Sequence, residues 1–196
     1  MGTFLALDPS STCTGWAIFS HSNDFGKWQL IQLGRLAPPA HRPAWDRIKA
    51  QADELTTILT RHCPDLAVIE VASNLVHSAA RARKQSRFSL GGLMTLAHGQ
   101  GVLIGTIQGG HLPWIPIKET EWTAGIPKTA RATRTAKLVP QYAAWLKTNN
   151  DPGLDVADAV GLGDWFAQTQ RIKHLTAEHQ CKPQPQPKRR PRKKSE

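Results

Sequence analysis

The sequence predicts an α/β domain in which helices cover both faces of a mixed five-stranded sheet. Residues 3–8, 14–20 and 27–35 have the apolar or alternating patterns of β-strands. Short turns separate these three stretches, which favours an antiparallel meander. Two further strands, at residues 66–70 and 113–117, alternate with helical patterns, as in α/β proteins. Together these observations predict three antiparallel strands extended by parallel ones.

The first helix is predicted to follow the meander and to begin at Pro43, because proline is favoured in the first turn of a helix. Its apolar residues recur at spacings of three and four, which places them on one face. These residues are Trp45, Ile48, Ala52, Leu55 and Leu59. The sequence Cys63-Pro64-Asp65 ends the helix, and the apolar run LAVIE follows it as a central parallel strand that ends on Glu70.

The second half of the chain predicts more helix than strand. Residues 90–109 are rich in glycine but carry enough large apolar residues for a packed helix. Two prolines in PWIPI, residues 113–117, favour an edge strand. Residues 118–148 are predicted to form a loop and one helix, and the last helix is predicted at about 154–169.

Composition predicts one folded domain with a basic tail. The chain has 196 residues, 40% of them hydrophobic, and a formal net charge of +10. Residues 182–196 contain seven Lys or Arg and one acid, which leaves a charge of only about +4 for the rest of the chain. We expect residues 1–175 to form the domain and residues 176–196 a disordered, proline-rich tail. Such a charge favours an anionic partner, most often nucleic acid, which the tail would contact without sequence preference.

The cysteines and the hydropathy pattern exclude several classes of protein. Cys13, Cys63 and Cys181 are far apart and include no CxxC pair, so neither a disulfide framework nor a zinc site is indicated. No apolar run reaches the roughly 18 residues of a membrane span. We therefore expect a cytoplasmic protein without a membrane partner.

Four acids stand out because of their positions in the predicted elements. Asp8 and Glu70 end two strands, and Asp155 and Asp158 are three residues apart at the start of the last helix. Carboxylates brought together in this way repel one another unless a cation joins them. Hard oxygen ligands favour Mg²⁺ or Mn²⁺, and two such ions about 4 Å apart suit attack on a phosphodiester.

Each acid also has a simpler interpretation. Asp8 could form an Asx turn, and Asp155 could stabilise a helix N-terminus. Glu70 is harder to explain in this way, since it follows a buried apolar run where a charge is costly. Spacing alone leaves the alternatives open, and the joint pattern of the four acids favours a site.

The segments that carry these acids resemble a known family. LALDPSSTCTGWAIF at residues 5–19, PDLAVIE at residues 64–70 and LDVADAVGLGDWF at residues 154–166 are similar to the three acidic motifs of RuvC-type Holliday-junction resolvases. These enzymes belong to the RNase H-like superfamily, and the form of the first motif is especially similar to phage members. The resemblance covers roughly residues 3–170 and implies an RNase H-like fold.

The resemblance also implies functional residues. The family's metal-binding acids match Asp8, Glu70, Asp155 and Asp158, and Lys118 falls where the family has a lysine near the scissile phosphate. A second functional segment is similar to GIPKTARATR, in which three cations are alternative candidates for contacts to DNA. These cations are Lys128, Arg131 and Arg134. The chain departs from the family at Ser73, where members often carry an aromatic wedge; Leu75 or Phe88 could replace it.

A second basic cluster precedes the glycine-rich helix. Its members lie within seven positions and are predicted to hold backbone phosphates, although a charge run is usually only a solvated helix face. They are Arg81, Arg83, Lys84 and Arg87. Most tryptophans are predicted to pack in the core, and Trp122, in the loop after Lys118, is a candidate for stacking on a base.

The sequence thus predicts a metal-dependent endodeoxyribonuclease that resolves four-way DNA junctions as a homodimer, with two Mg²⁺ or Mn²⁺ ions per site. Three alternatives remain. The chain could cut other branched DNA or RNA, or bind DNA on the same fold without cutting it. An ATPase of the sugar or acetate kinase type also places an acid after its first strand, but 196 residues are too few for its duplicated domain.

Overall fold

A mixed five-stranded sheet forms the centre of the fold, as predicted. The computed structural model describes residues 2–21, 27–71 and 90–180. The strands are β1 (Thr3–Asp8), β2 (Thr14–His21), β3 (Trp28–Leu36), β4 (Leu66–Val71) and β5 (Trp114–Lys118). Their order across the sheet is β3-β2-β1-β4-β5. The first three strands pair antiparallel, while β4 pairs parallel with both β1 and β5.

Alternation along β1 divides the core into two layers. Phe4 and Ala6 pack in the layer on one face of the sheet, and Leu5 and Leu7 pack in the layer on the other. All four side chains are at most 1% exposed. Because side chains alternate between faces, an unbroken apolar run is what a strand covered on both sides requires.

Helices cover both faces, again as predicted. They are α1 (Ala44–His62), α2 (Leu90–Gly109), α3 (Glu119–Thr123), α4 (Lys128–Leu138), α5 (Pro140–Leu146) and α6 (Asp155–Gln180). Leu55 of α1 and Leu103 of α2 pack in the layer that contains Leu5. Tyr142 of α5 and Val160 of α6 pack in the layer that contains Phe4. The sheet is therefore enclosed between α1 and α2 on one side and α4 to α6 on the other.

Helix α1 begins directly after Pro43 and ends where Cys63 takes a left-handed conformation. Its buried residues include Ile48 and Leu55, as predicted. The placement of Trp45 on the buried face was wrong, since this residue is 61% exposed. Trp45 lies in the first turn, where its ring contacts that of His98 on α2, 5.0 Å between centroids, instead of entering the core.

Two predictions for the second half need correction. Residues 118–148 contain three helices instead of one, because Pro127 and Pro140 each stand where a helix begins. The last helix is longer than predicted and continues to Gln180, and the first proline after it is Pro183. It includes the first residues of the predicted tail, while residues 181–196 lie outside the described residues.

No helix in the described part of the chain is both long and apolar enough to span a bilayer. The thiols of Cys13 and Cys63 are free. The third cysteine, Cys181, lies outside the described ranges.

Candidate active site

The carboxyl ends of β1 and β4 bring Asp8 and Glu70 together. The two strands are parallel neighbours, with Leu7 opposite Ile69. Asp8 therefore alternates onto the same face of the sheet as Ala6, and Glu70 onto the same face as Val68. Both acids lie on the side of the sheet that α6 covers.

Helix α6 adds Asp155 and Asp158 from its first turn. The helix can approach the sheet because β2 begins with Thr14 and Gly15, and Gly15 pairs with Asp8. A Cβ at Gly15 would lie 1.9 Å from the carbonyl oxygen of Asp155, so only glycine fits there. This contact fixes the distance between the start of α6 and the end of β1.

A buried acid that the sequence analysis missed anchors the start of α6. Asp151 is 7% exposed, and its carboxylate accepts hydrogen bonds from the backbone N–H of Val156 at 3.3 Å and of Ala157 at 2.9 Å. The hydroxyl of Tyr142 donates to it at 3.0 Å. An aspartate just before a helix is a known signal for such a role, and it was available in the sequence.

The ammonium group of Lys128 lies among three of the four acids. Its Nζ is 2.8 Å from Oδ1 of Asp155, 3.2 Å from Oδ2 of Asp158 and 3.5 Å from Oδ2 of Asp8. The acids come from β1 and α6, which are distant in sequence, and they converge on this one cation. Lys128 therefore neutralises part of the negative charge of Asp8, Asp155 and Asp158.

Arg131 lies one turn further along α4 and forms a two-point contact with Asp158. Its Nε donates to Oδ1 at 3.0 Å and its Nη2 donates to Oδ2 at 2.8 Å. A third nitrogen, Nη1, donates to Glu119 at 3.2 Å. Asp158 is only 1% exposed, and this planar pairing satisfies both of its oxygens.

Glu70 has a different partner. The indole N–H of Trp122 donates to its Oε2 at 2.7 Å. The guanidinium of Arg131 lies over the Trp122 ring, 5.1 Å from the centroid. The sequence suggested that Trp122 stacks on a base, but here its N–H and one ring face are engaged by protein groups.

Burial and crowding raise the pKa of two of these acids. Burial is the main reason that the pKa of Asp8 is well above its ordinary value, and the charge of Glu70 adds to it. Burial also raises the pKa of Glu70 to about 7, against the effect of the Trp122 hydrogen bond. Burial lowers the pKa of Lys128, but the neighbouring carboxylates outweigh this and hold it above the usual lysine range.

The cluster suits a hard divalent cation, because such ions prefer carboxylate oxygens. These oxygens surround the position of the positively charged Lys128 ammonium group. As placed, however, no three acid, histidine or cysteine side chains within residues 2–21, 27–71 and 90–170 are arranged to hold a metal ion. Lys128 and Arg131 occupy the oxygens that would do so. A metal ion would therefore have to replace the Lys128 ammonium.

The other predicted site residues lie apart from the acids. Lys118, the last residue of β5, is exposed, and no ion pair links it to the four acids within the described residues. It pairs with Val71, so the alternation of the strands directs it away from the face that carries Glu70. Its role near a scissile phosphate stays a prediction.

The predicted DNA contacts are only partly described. Arg134 of α4 is exposed, whereas Lys128 and Arg131 are directed into the acid cluster. Contact of any of these three with DNA stays a prediction. The remaining predicted positions lie outside the described residues, namely Arg81, Arg83, Lys84, Arg87, Ser73, Leu75 and Phe88.

No protein-family model matches the chain, but curated proteins are similar to it in sequence. The crossover junction endodeoxyribonuclease RuvC of Oleidesulfovibrio alaskensis is 25% identical over 175 residues, which cover 89% of this chain and 96% of that protein. The RuvC of Chloroflexus aurantiacus is 35% identical over 66 residues, 34% of this chain and 39% of its own. The chain is thus similar in sequence to RuvC over most of its length.

Solved structures of RuvC-type resolvases share the fold. Thermus thermophilus RuvC in complex with a Holliday junction substrate is 14% identical, with a TM-score of 0.61 over 87% of this chain and 98% of that one. Fowlpox virus resolvase in complex with Holliday junction DNA is 13% identical, with a TM-score of 0.56 over 85% and 99%. The predicted RNase H-like fold class is thereby confirmed.

Proposed function

We propose that this protein is a metal-dependent, structure-selective endodeoxyribonuclease that cleaves four-way DNA junctions in recombination, repair or phage DNA processing. The observation that carries the proposal is the convergence of Asp8, Asp155 and Asp158 on one cation, the Lys128 ammonium, with Glu70 beside them. Each buried carboxylate costs free energy unless it is paired, and here Lys128 and Arg131 supply the pairing that lets the chain hold these acids together. The RuvC relatives named above carry the corresponding activity in their names.

The four acids would hold one or two Mg²⁺ or Mn²⁺ ions. Bound there, such ions supply an activated water and stabilise the charge that develops on the phosphate. The chain's own contribution is to fix the acids on rigid elements, the ends of β1 and β4 and the first turn of α6. Lys128 keeps the acids together when no divalent ion neutralises them.

Branched DNA is the proposed partner. Two of the solved structures that share the fold contain Holliday junction DNA, and the net charge of +10 suits a polyanion. Symmetric cleavage of a four-way junction needs two sites, which implies a homodimer. Helix α2 offers a surface for a second copy, since Met94 is 53% exposed and Val102 is 37% exposed.

Replacing Asp8 tests the metal-dependent mechanism. Asp8→Asn keeps the size of the side chain but removes one carboxylate from the cluster. We expect cleavage of a synthetic four-way junction with Mg²⁺ to fall by a factor on the order of 100 or more, while junction binding in Ca²⁺ is retained.

Asp53→Asn is the matched control, because Asp53 is an exposed acid on α1 whose partner is Lys49. This variant should cleave as the wild type does. Cleavage by Asp8→Asn at the wild-type rate would contradict the proposal, and so would wild-type cleavage that persists in EDTA.

A further inference from the structure

Trp122 connects two of the candidate ligands although it is not itself an acid or a base. It lies in the short helix α3, which follows directly on β5. Its indole ring lies between the end of β4, which carries Glu70, and the guanidinium of Arg131, which holds Asp158. A single side chain therefore contacts both the second acidic segment and the partner of the third.

The contact with Glu70 is directional. The indole N–H is a donor only, and its 2.7 Å hydrogen bond to Oε2 fixes one oxygen of the carboxylate. Within the described residues, Glu70 has no other side-chain hydrogen bond. Among the described residues, Trp122 is thus the side chain that fixes the orientation of this carboxylate, and it does so through one of the two oxygens.

The contact with Arg131 is stacked. The guanidinium lies 5.1 Å from the centroid of the ring, which suits a cation–π interaction. The same guanidinium donates to both oxygens of Asp158 and to the backbone carbonyl of Ile126 at 3.0 Å. The ring therefore supports the plane in which Arg131 holds Asp158.

Packing alone does not fix the ring. One side of Trp122 approaches α6 where Gly161 leaves room, since a Cβ there would lie 3.0 Å from the ring. Another side opens into a cavity of about 290 Å³ that Leu138, Val139 and Trp165 also line. Beside its packing against the core, the ring is held by its polar contacts with Glu70 and Arg131.

We propose that Trp122 is the positioning residue of Glu70, which it orients through its indole N–H for binding a divalent cation. This inference rests on the proposed function, because it takes Glu70 as a metal ligand. Groups that orient a metal ligand typically contribute about 10-fold to 100-fold in metal affinity or activity. Trp122→Phe removes the N–H and keeps an aromatic ring against Arg131.

The first measurement needs no metal and no cleavage. In a ¹H–¹⁵N spectrum, the indole signal of Trp122 is the one that Trp122→Phe removes. We expect this signal to exchange slowly with solvent and to shift in Glu70→Gln, where the acceptor changes. An indole signal that exchanges as fast as that of exposed Trp45 and does not respond to Glu70→Gln would overturn the proposal.

The second measurement is binding of Mn²⁺ to the protein alone, followed by electron paramagnetic resonance. We expect the dissociation constant of Trp122→Phe to rise on the order of 10-fold. Trp165→Phe is the control, because Trp165 lines the same cavity and, among the described contacts, makes no hydrogen bond to the four acids; it should bind as the wild type does. In a Glu70→Gln background, Trp122→Phe should add no further loss.

The outcomes separate the two proposals. If Trp122→Phe and Trp165→Phe weaken binding equally, or if the loss persists without the Glu70 carboxylate, Trp122 fills space and the inference is wrong. If the wild type binds no Mn²⁺, the proposed function fails, and an inference about orienting a metal ligand fails with it. The indole signal then still shows whether the contact with Glu70 exists in solution.

Discussion

Lys128 is the residue whose placement says most about the cluster. Three carboxylates within 3.5 Å of one ammonium group form an arrangement that is stable without a metal ion. A divalent ion would bring more charge to the same position, but it must first displace this lysine. The same side chain would therefore stabilise the protein without metal and, in the proposed site, weaken its affinity for metal.

Lys128→Met separates these two effects. Because the folded state raises the pKa of Lys128 above its unfolded value, its stabilising effect is fully present at pH 8 and is lost only as the pH rises through the folded value. We expect the free energy of unfolding at pH 8 in EDTA to fall by about 1 kcal/mol, a value reduced by solvent screening of this half-exposed side chain. Urea denaturation measures this loss.

Adding Mg²⁺ should reduce the difference in unfolding free energy between Lys128→Met and the wild type. The ion would bind the variant without displacing the Lys128 ammonium group. The rise in unfolding free energy on adding Mg²⁺ should be larger in Lys128→Met than in the wild type. Lys137→Met, at an exposed position of the same helix, should respond as the wild type does. An equal Mg²⁺ effect in all three proteins would show that Lys128 does not compete with the metal.

The raised pKa of Glu70 predicts that the stability of the protein falls as the pH rises. Its folded pKa, about 7, lies above its unfolded value of about 4.5, so the folded state holds the proton more tightly and loses stability as the pH rises through 7. Glu70→Gln should therefore be more stable than the wild type by about 3 kcal/mol at pH 8.5 in EDTA. Near pH 4.5 the two proteins should differ little. A constant difference across this range would contradict the burial of a titrating carboxylate.

At the scale of elements, the close contact between β2 and α6 determines where the acids meet. Gly15→Ala would place a methyl group against the Asp155 carbonyl, where a Cβ has only 1.9 Å. We expect a loss of about 3 kcal/mol in unfolding free energy, at the upper end for overpacking, together with loss of cleavage, because the first turn of α6 must move.

Gly101→Ala is the matched control. Gly101 lies inside α2, where a Cβ would meet no heavy atom within 4 Å. The same change there should raise stability by up to about 1 kcal/mol, since alanine favours helix. Chemical denaturation of both variants checks the opposite signs. Equal changes in the unfolding free energy of the two variants would mean that the close contact between Gly15 and α6 does not contribute to stability.

The elements themselves were largely predictable from the sequence. Unbroken apolar runs such as LAVIE identified strands covered on both faces, and prolines marked the start of α1 and the edge position of β5. The pairing of Asp8 and Glu70 followed from two adjacent parallel strands that end in acids. These features depend on local sequence and on the limited number of ways to arrange a sheet.

The contacts within the site were less predictable. A basic helix next to a nuclease site suggests contacts to phosphate, but the direction of Lys128 and Arg131 depends on how closely α4 approaches α6. That distance is set by the packing of Ala132 and Thr135 against α6, which no spacing rule reveals. The hydrogen bond from Trp122 to Glu70 joins residues far apart in sequence and left no local signal.

For the whole molecule, the distribution of charge is compatible with the proposed DNA partner. The acids occupy a small pocket of negative charge in a chain of net charge +10, so DNA can be attracted overall while metal ions are attracted locally. The similarity to RuvC proteins extends over 89% of the chain, well beyond the acidic segments alone. The exposed face of α2 is the surface through which we expect two copies to place two sites on one junction.

The most direct test of this account is cleavage of a synthetic four-way junction by the wild-type protein with Mg²⁺, compared with a flap, a bubble and linear duplex of the same sequences. The account predicts paired, symmetric cuts in opposite strands of the junction that leave ligatable ends, with little cleavage of the duplex. Cleavage of the flap and the linear duplex as fast as the junction, or no cleavage of any substrate with Mg²⁺ or Mn²⁺, would contradict it.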